Sequence, residues 1–338
     1  MIEYSQELSE NPIEFSGRLN SDMMDVFING RCEDVLKRYP DECVDFIFTS
    51  PPYADMRNYG ISDSKISPDC YVDWFIPKAA EFHRVLKNTG SFVLNINDRV
   101  VNGRTQLYVY EIILRLCREL GFNLVRDYIW HNPATPPNIY STGKYGRCKK
   151  SHEFVFWFSK GDTWTFNMDS IRKPYCKDMS RLLNGKRHGT RKENSHPSPH
   201  SADFSHPWAD NGGADPGSVI SIPNTLSNDT FSKLCRNRGI SHPARFPEKL
   251  AEFFILAGTN AGDVVLDPFS GSGTTAVTAQ RHGRHWIGID ANSDYCELSR
   301  ERMAAINAVL EDAVNKKKSV KDLDVKSVDL FFFGGNAA

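Results

Sequence analysis

The stretch Gly262–Ala276, GDVVLDPFSGSGTTA, decides the fold. Its apolar run Asp263–Asp267 has strand character and ends in a carboxylate. Gly271 and Gly273 then allow the backbone to turn tightly into a helix from Thr274. That order places backbone N–H groups and a helix N-terminus against a ligand, with Asp267 beside them. About twenty residues on, the strand His285–Asp290 (HWIGID) ends in Asp290, where a carboxylate accepts hydrogen bonds from ribose hydroxyls. A lone glycine pair reads as a structural turn; the flanking strand, helix and second acidic strand end favour a nucleoside site. No Lys follows the glycines, so this is not a Walker loop. Ala276 stands where the dinucleotide pattern has its third glycine. An adenosyl ligand without a pyrophosphate suits the loop better.

Outward from this unit the chain alternates strands and helices. Val26–Asn29 and Val44–Thr49 (VDFIFT) read as strands, the second broken by SPPY. Tyr71–Leu86 has helical spacing, with Trp74, Phe75, Ala79, Phe82, Val85 and Leu86 on one side and a stop at Asn88-Thr89-Gly90. Ser91–Ile96 is a strand, Leu107–Leu120 an amphipathic helix, and Phe122–Trp130 and Glu153–Ser159 further strands. The rhythm fails from about Thr163 to His242, where Pro, Gly, Ser, Asn and His prevail, so this region reads as an irregular inserted module. It resumes with helix Pro247–Gly258 and, after the glycine unit, helices Thr274–His282 and Ser293–Leu310. The pattern predicts an α/β fold with a mainly parallel sheet. Residues 1–162 and 243–338 form the two halves of one domain, with 163–242 inserted. The apolar patch Val328–Phe333 reads equally as an edge strand or a core cover.

The second motif is Thr49-Ser50-Pro51-Pro52-Tyr53, at the end of VDFIFT. Two consecutive prolines fix φ and offer carbonyls without N–H donors. An acceptor-only turn beside a hydroxyl can hold the two hydrogens of an exocyclic amine, and Tyr53 offers a face for a planar base. A proline pair alone is usually a simple strand-ending turn; its place after an α/β strand beside a nucleoside loop reverses that judgement. Trp130-His131-Asn132-Pro133 ends another strand and reads either as a second wall of a base pocket or, for Trp130, as core.

SPPY together with DPFSGSGTT resembles the DNA amino-methyltransferases that use S-adenosyl-L-methionine. HPARFPEKL (His242–Leu250) is similar to the helix preceding that family's glycine loop, and KKSHEFVFWFSKGD (Lys149–Asp162) to its late strand. The SPPY strand precedes the insert and the glycine loop follows it, as in the permuted β class, where the recognition region lies between the two halves. The resemblance spans about residues 24–310 and implies a Rossmann-like methyltransferase fold. Ser before PPY goes in that family mostly with cytosine N4, Asp or Asn with adenine N6; Ser50 therefore points to cytosine N4, with adenine N6 as the near rival. Ser50, Pro51, Pro52 and Tyr53 are the implied catalytic set, with direct methyl transfer to the amine. Asp267, Phe269, Ser270, Gly271, Gly273 and Thr274 would cradle the methionine part and Asp290 the ribose, with Arg245, Phe246 and Lys249 near the methionine carboxylate. Lys249 reads equally as a solvated helix charge. The family's Gly-Asp is Gly30-Arg31 here, which removes an acidic cofactor contact; Glu33 and Asp34 are the nearby carboxylates.

Composition agrees with an ordinary globular chain: 338 residues, 40% hydrophobic, 25% charged, formal charge −1. The apolar runs are far shorter than the ~18 residues of a membrane span, and the acidic, polar N-terminus lacks the form of a secretory signal, so a cytoplasmic protein is expected. The eight cysteines are never closer than 11 residues, which disfavours zinc ribbons; no metal site is expected. The absence of a Pro-Cys dipeptide argues against cytosine C5 methylation. Between Ser141 and His200 thirteen Lys/Arg face five Asp/Glu, an excess of eight positive charges in the insert and its approach. This suits phosphate contact with double-stranded DNA, with Arg147, Lys149, Lys150, Lys186, Arg187, Arg191 and Lys192 as candidates. The expected protein is a monomer or homodimer acting apart from any cognate restriction endonuclease. A catalytically silent DNA-binding subunit and an RNA or small-molecule methyltransferase are the rivals from other classes. The intact motifs argue against the first, and the basic insert against the second.

Overall fold

The computed structural model describes residues 19–54, 66–136, 146–183, 210–224, 235–236, 238–239 and 245–315. Its strands are β1 (Val26–Asn29), β2 (Val44–Thr49), β3 (Leu86–Ile96), β4 (Val100–Val101), β5 (Arg104–Thr105), β6 (Asn123–His131), β7 (His152–Ser159), β8 (Val219–Ser221), β9 (Val264–Asp267) and β10 (His285–Asp290). Its α-helices include α1 (Cys32–Leu36), α2 (Pro68–Val85), α3 (Tyr108–Arg118), α4 (Lys177–Leu183), α5 (Glu248–Gly258), α6 (Thr274–Arg281) and α7 (Ser293–Asn315). Eight strands form one sheet in the order β1-β10-β9-β2-β3-β7-β6-β8, and β4 and β5 pair separately. β7 runs antiparallel to β3 and β6, while the other neighbours in the sheet are parallel.

Helices α1, α2 and α3 cover one face with the core of Leu36, Tyr71, Phe75, Phe82, Phe92 and Ile112, and α5, α6 and α7 cover the other with Phe46, Phe48, Trp157, Phe254, Val277 and Ile306. Both faces of the central strands are therefore buried, which is why β2 and β9 read as continuous apolar runs. This is the expected α/β architecture, a mainly parallel sheet between two helical layers.

Three details differ from the sequence expectations. Helix α2 starts at Pro68, whose missing N–H is harmless in a first helical turn. It stops at Val85, and Asn88-Thr89-Gly90 lies inside β3 rather than in a turn. The pairing with β2 jumps from Val44↔Leu86 to Phe46↔Ser91, so these residues form an irregularity within the ladder. Gly90 permits it, since a Cβ there would lie 2.8 Å from the Asp45 carbonyl oxygen. The insert is not wholly irregular either: Val219–Ser221 extends the sheet as β8, pairing with Ile129–His131 of β6. Three residues are too few for a periodic signal. Trp130 is core, 2% exposed, with its Nε1 donating to the Ile222 carbonyl at 2.9 Å. No described helix is long and apolar enough to cross a membrane. The patch Val328–Phe333 lies outside the described residues.

Candidate active site

Strand order reverses between β9 and β2: β9 continues through α6 to β10 on one side, and β2 through α2 to β3 on the other. In an open α/β sheet the carboxyl ends at such a point border the ligand crevice. The glycine loop leaves β9 here, and the SPPY turn leaves β2. They are tied together: Thr49 Oγ1 donates to Asp267 Oδ1 at 2.6 Å. Thr275 Oγ1 donates to Asp267 Oδ2 at 2.6 Å, and the Phe269 amide to Oδ1 at 3.1 Å. Burial pushes the Asp267 carboxyl up to about 6, against the lowering effect of these hydrogen bonds. The side chain is 1% exposed, and its hydrogen bonds to Thr49, Thr275 and the Phe269 amide shape the loop.

Around the loop, the Gly271 amide donates to Asp290 Oδ2 at 2.7 Å and the Asn292 amide to Oδ1 at 2.8 Å. Burial raises the Asp290 carboxyl to about 6 as well. The Ser270 amide bonds the Ile289 carbonyl and the Gly273 amide the Ser270 carbonyl, each at 2.8 Å. The amides of Phe269, Ser270, Gly271 and Gly273 thus all have protein acceptors. Gly271 and Gly273 adopt φ of 51° and 71°, and a Cβ on Gly273 would meet the Phe27 ring at 2.8 Å. The Phe269 ring packs on Trp74 and Phe82, 5.7 and 6.3 Å between centroids. Thr274 is turned inward, its hydroxyl 3.0 Å from Ser272 Oγ and 3.3 Å from Arg302. Ser270 Oγ is buried without a hydrogen-bond partner among the described residues.

Phe246 packs edge-on against Phe48 at 5.0 Å, on the α5–α7 face, and Lys249 is exposed at the start of α5. The Arg245 carbonyl accepts from Asn224 Nδ2 at 2.9 Å. Of the two carboxylates near Gly30-Arg31, Glu33 pairs with the buried Lys78 at 3.0 Å and with Arg31 at 2.9 Å, and Asp34 pairs with Lys37 at 3.2 Å. Burial would raise the Glu33 carboxyl, yet the hydrogen bonds from its own backbone and from Lys78 hold it low.

The SPPY turn is held by side chains from three other elements. Tyr71 of α2 donates to the Pro52 carbonyl at 2.7 Å. Ser50 Oγ lies 3.1 Å from Tyr53 Oη, which donates to Glu153 Oε2 at 2.6 Å. Asn95 of β3 donates from Nδ2 to the Phe154 carbonyl at 3.1 Å and to Glu153 Oε2 at 3.3 Å. Tyr71, Asn95 and Glu153 escaped the sequence reading. Asn95 carried a signal, a polar residue inside the apolar run SFVLNI, and it is 1% exposed. Glu153 carried none beyond being charged at a strand start.

Among the DNA-contact candidates, Lys149 is exposed, its Nζ 3.0 Å from the Thr135 carbonyl oxygen, and the half-buried Arg147 donates to the Gly103 carbonyl. Lys150 does not fit the role: its Nζ pairs with Asp98 at 2.7 Å and sits 4.7 Å from the Phe154 ring centroid. A neutralised, partly buried cation adds little to phosphate attraction. Lys186, Arg187, Arg191 and Lys192 lie outside the described residues.

Residues 44–301, with both motifs and the strands that carry them, match the DNA methylase family model. The chain is a member of the DNA methylase family. The methylase is 33% identical over 306 residues to the type II methyltransferase M.PvuII of Proteus hauseri, covering 87% of this chain and 89% of that one. It is 29% identical over 304 residues to the DNA adenine methyltransferase YhdJ of Escherichia coli K12, covering 89% and 90%. A solved PvuII DNA methyltransferase, described as cytosine-N4-specific, superposes with a TM-score of 0.63 at 27% identity, over 83% of the methylase and 90% of that chain.

Proposed function

We propose that this DNA methylase transfers a methyl group from S-adenosyl-L-methionine to the exocyclic N4 amine of cytosine in duplex DNA, as the modification partner of a restriction–modification system. The observation that carries the reading is Ser50 in an acceptor-rich turn, tied to the glycine loop through Thr49 and Asp267. The likeness to a cytosine-N4-specific relative favours it over adenine N6.

The residues fit the cofactor. Asp290 is a half-buried carboxylate at a strand end, beside a left-handed glycine loop whose Ser270 hydroxyl is unused among the described residues. Its carboxylate oxygens keep lone pairs for ribose hydroxyls after accepting one amide each. The amides of Phe269, Ser270, Gly271 and Gly273 are taken by protein acceptors, which suits a ligand that brings no phosphate. When bound, S-adenosyl-L-methionine supplies an electrophilic methyl group on a sulfonium. Ser50 Oγ and the Pro51 carbonyl accept the amine's two hydrogens and aim its lone pair at that methyl. Tyr53, 8% exposed and pinned by its hydroxyl, walls the pocket against a base taken out of the duplex. Lys149, Arg147 and the basic run 186–192 contact the phosphate backbone.

The test is incubation with tritium-labelled S-adenosyl-L-methionine and unmethylated genomic DNA, followed by digestion to nucleosides. Label on N4-methylcytosine that disappears in Ser50→Ala is expected. Label on N6-methyladenine overturns the reading of Ser50.

A further inference from the structure

We propose that Glu153 is a positioning residue that sets the hydrogen-bond polarity of Ser50 through Tyr53. The proposal rests on the reading of SPPY as the amine-binding turn. Glu153 stands on β7, the antiparallel strand, a hundred positions along the chain from Tyr53, and its Oε2 lies 2.6 Å from Tyr53 Oη. The bond runs from the phenol to the carboxylate oxygen, so Tyr53 is the donor. Its single hydrogen is then committed, and the phenolic oxygen turns a lone pair toward Ser50. Ser50 Oγ, 3.1 Å away, donates into it. The serine hydrogen is committed in turn, and Ser50 meets its surroundings with lone pairs only.

Asn95 supports this direction. Its Nδ2 donates to the Phe154 carbonyl at 3.1 Å and to Glu153 Oε2 at 3.3 Å, which fixes the amide orientation and places its Oδ1 3.4 Å from Tyr53 Oη. Both the carboxylate and the amide thus present acceptors to the phenol, and neither competes with Ser50 as a donor.

The consequence is chemical. An exocyclic amine offers two N–H donors and one lone pair, and the lone pair must attack. A serine free to rotate could donate its hydrogen to that lone pair and quench it. With its hydrogen drawn toward Tyr53, Ser50 can only accept from the amine, as the neighbouring proline carbonyl does. Glu153 thereby keeps a competing donor away from the nucleophile without touching the base.

The experiment compares Glu153→Gln, Tyr53→Phe, the double variant and Ser50→Ala in the full chain, using labelled S-adenosyl-L-methionine and unmethylated genomic DNA. A Gln amide can donate as well as accept, so polarity is lost with little change in shape. For Glu153→Gln, kcat should fall about tenfold to a hundredfold, as for a charge-assisted hydrogen bond, with cofactor Kd and KM for DNA within about twofold. Tyr53→Phe should fall equally, and the double variant no further than either single one. Multiplying losses in the double variant, or a normal kcat in Glu153→Gln, overturns the proposal. If Glu153→Gln does not fold, a normal kcat in Tyr53→Phe overturns it. A slow Ser50→Ala beside normal Glu153 and Tyr53 variants removes this proposal alone, whereas a normal Ser50→Ala removes the amine-binding reading beneath it.

Discussion

The glycine loop and the SPPY turn are neighbours joined through Thr49 and Asp267, yet they are built by different means. In the loop two left-handed glycines turn the chain, and its amides are taken by the carboxylates of two strand ends and by the Ile289 and Ser270 carbonyls. In the turn the prolines contribute rigidity, but a side chain of α2 holds the Pro52 carbonyl and side chains of β3 and β7 fix the Tyr53 hydroxyl. A site for an invariant ligand can be built from one short glycine motif and the strand end beside it. A site that must hold one amine in one orientation draws on distant side chains, because polarity is a property of hydroxyls and carboxylates rather than of turn geometry.

The contrast can be broken by substitution. Gly273→Val should do the most damage. It forces a β-branched residue into φ of 71° and a Cβ to 2.8 Å from Phe27, costing about 3 kcal/mol or more in urea unfolding and abolishing cofactor binding. Ser50→Ala, in contrast, should lower methyl transfer about a hundredfold and leave the unfolding midpoint almost unchanged, as expected for a group that acts on the substrate. If Ser50→Ala proved as destabilising as Gly273→Val, the two regions would not differ as described.

Thr49→Val tests the joint. It removes one donor from the buried Asp267 carboxylate, and about 1–3 kcal/mol of stability should go with it, weakening both cofactor affinity and turnover. A loss confined to one of the two would mean that the motifs are mechanically independent.

The loop also predicts a pH effect that the turn does not. The Asp290 carboxyl sits near 6 because burial disfavours its charged form. Ionised it accepts from ribose hydroxyls, so cofactor binding should tighten as pH rises through about 6, and the step should vanish in Asp290→Asn by calorimetry. The same raised value works in the opposite sense on folding. Between the ordinary carboxyl value and about 6 the native state holds a proton that the unfolded state releases, so this group's contribution to stability falls as pH rises. The smallest effect concerns DNA. Lys149→Ala should reduce the salt slope of binding by about one, whereas Lys150→Ala, which removes a cation already paired with Asp98, should leave it unchanged.

Much of this molecule was legible without coordinates. GDVVLDPFSGSGTTA and HWIGID announce strand, turn and helix because the backbone chemistry there is local: buried β-branched runs, glycines where φ is positive, a helix immediately after. SPPY was legible for the same reason, since proline acts on its own φ and its own missing N–H. What tertiary structure alone decided is where side-chain polarity comes from. Glu153 and Asn95 lie 100 and 42 positions from Tyr53, and no periodicity links them. The β3–β7 antiparallel pairing brings them together. The same holds for Lys150, a plausible phosphate contact in a basic run until the fold sets Asp98 2.7 Å from its charge. Local conformation follows from the residues that adopt it, whereas the state of a hydroxyl or a charge follows from whatever the fold places against it.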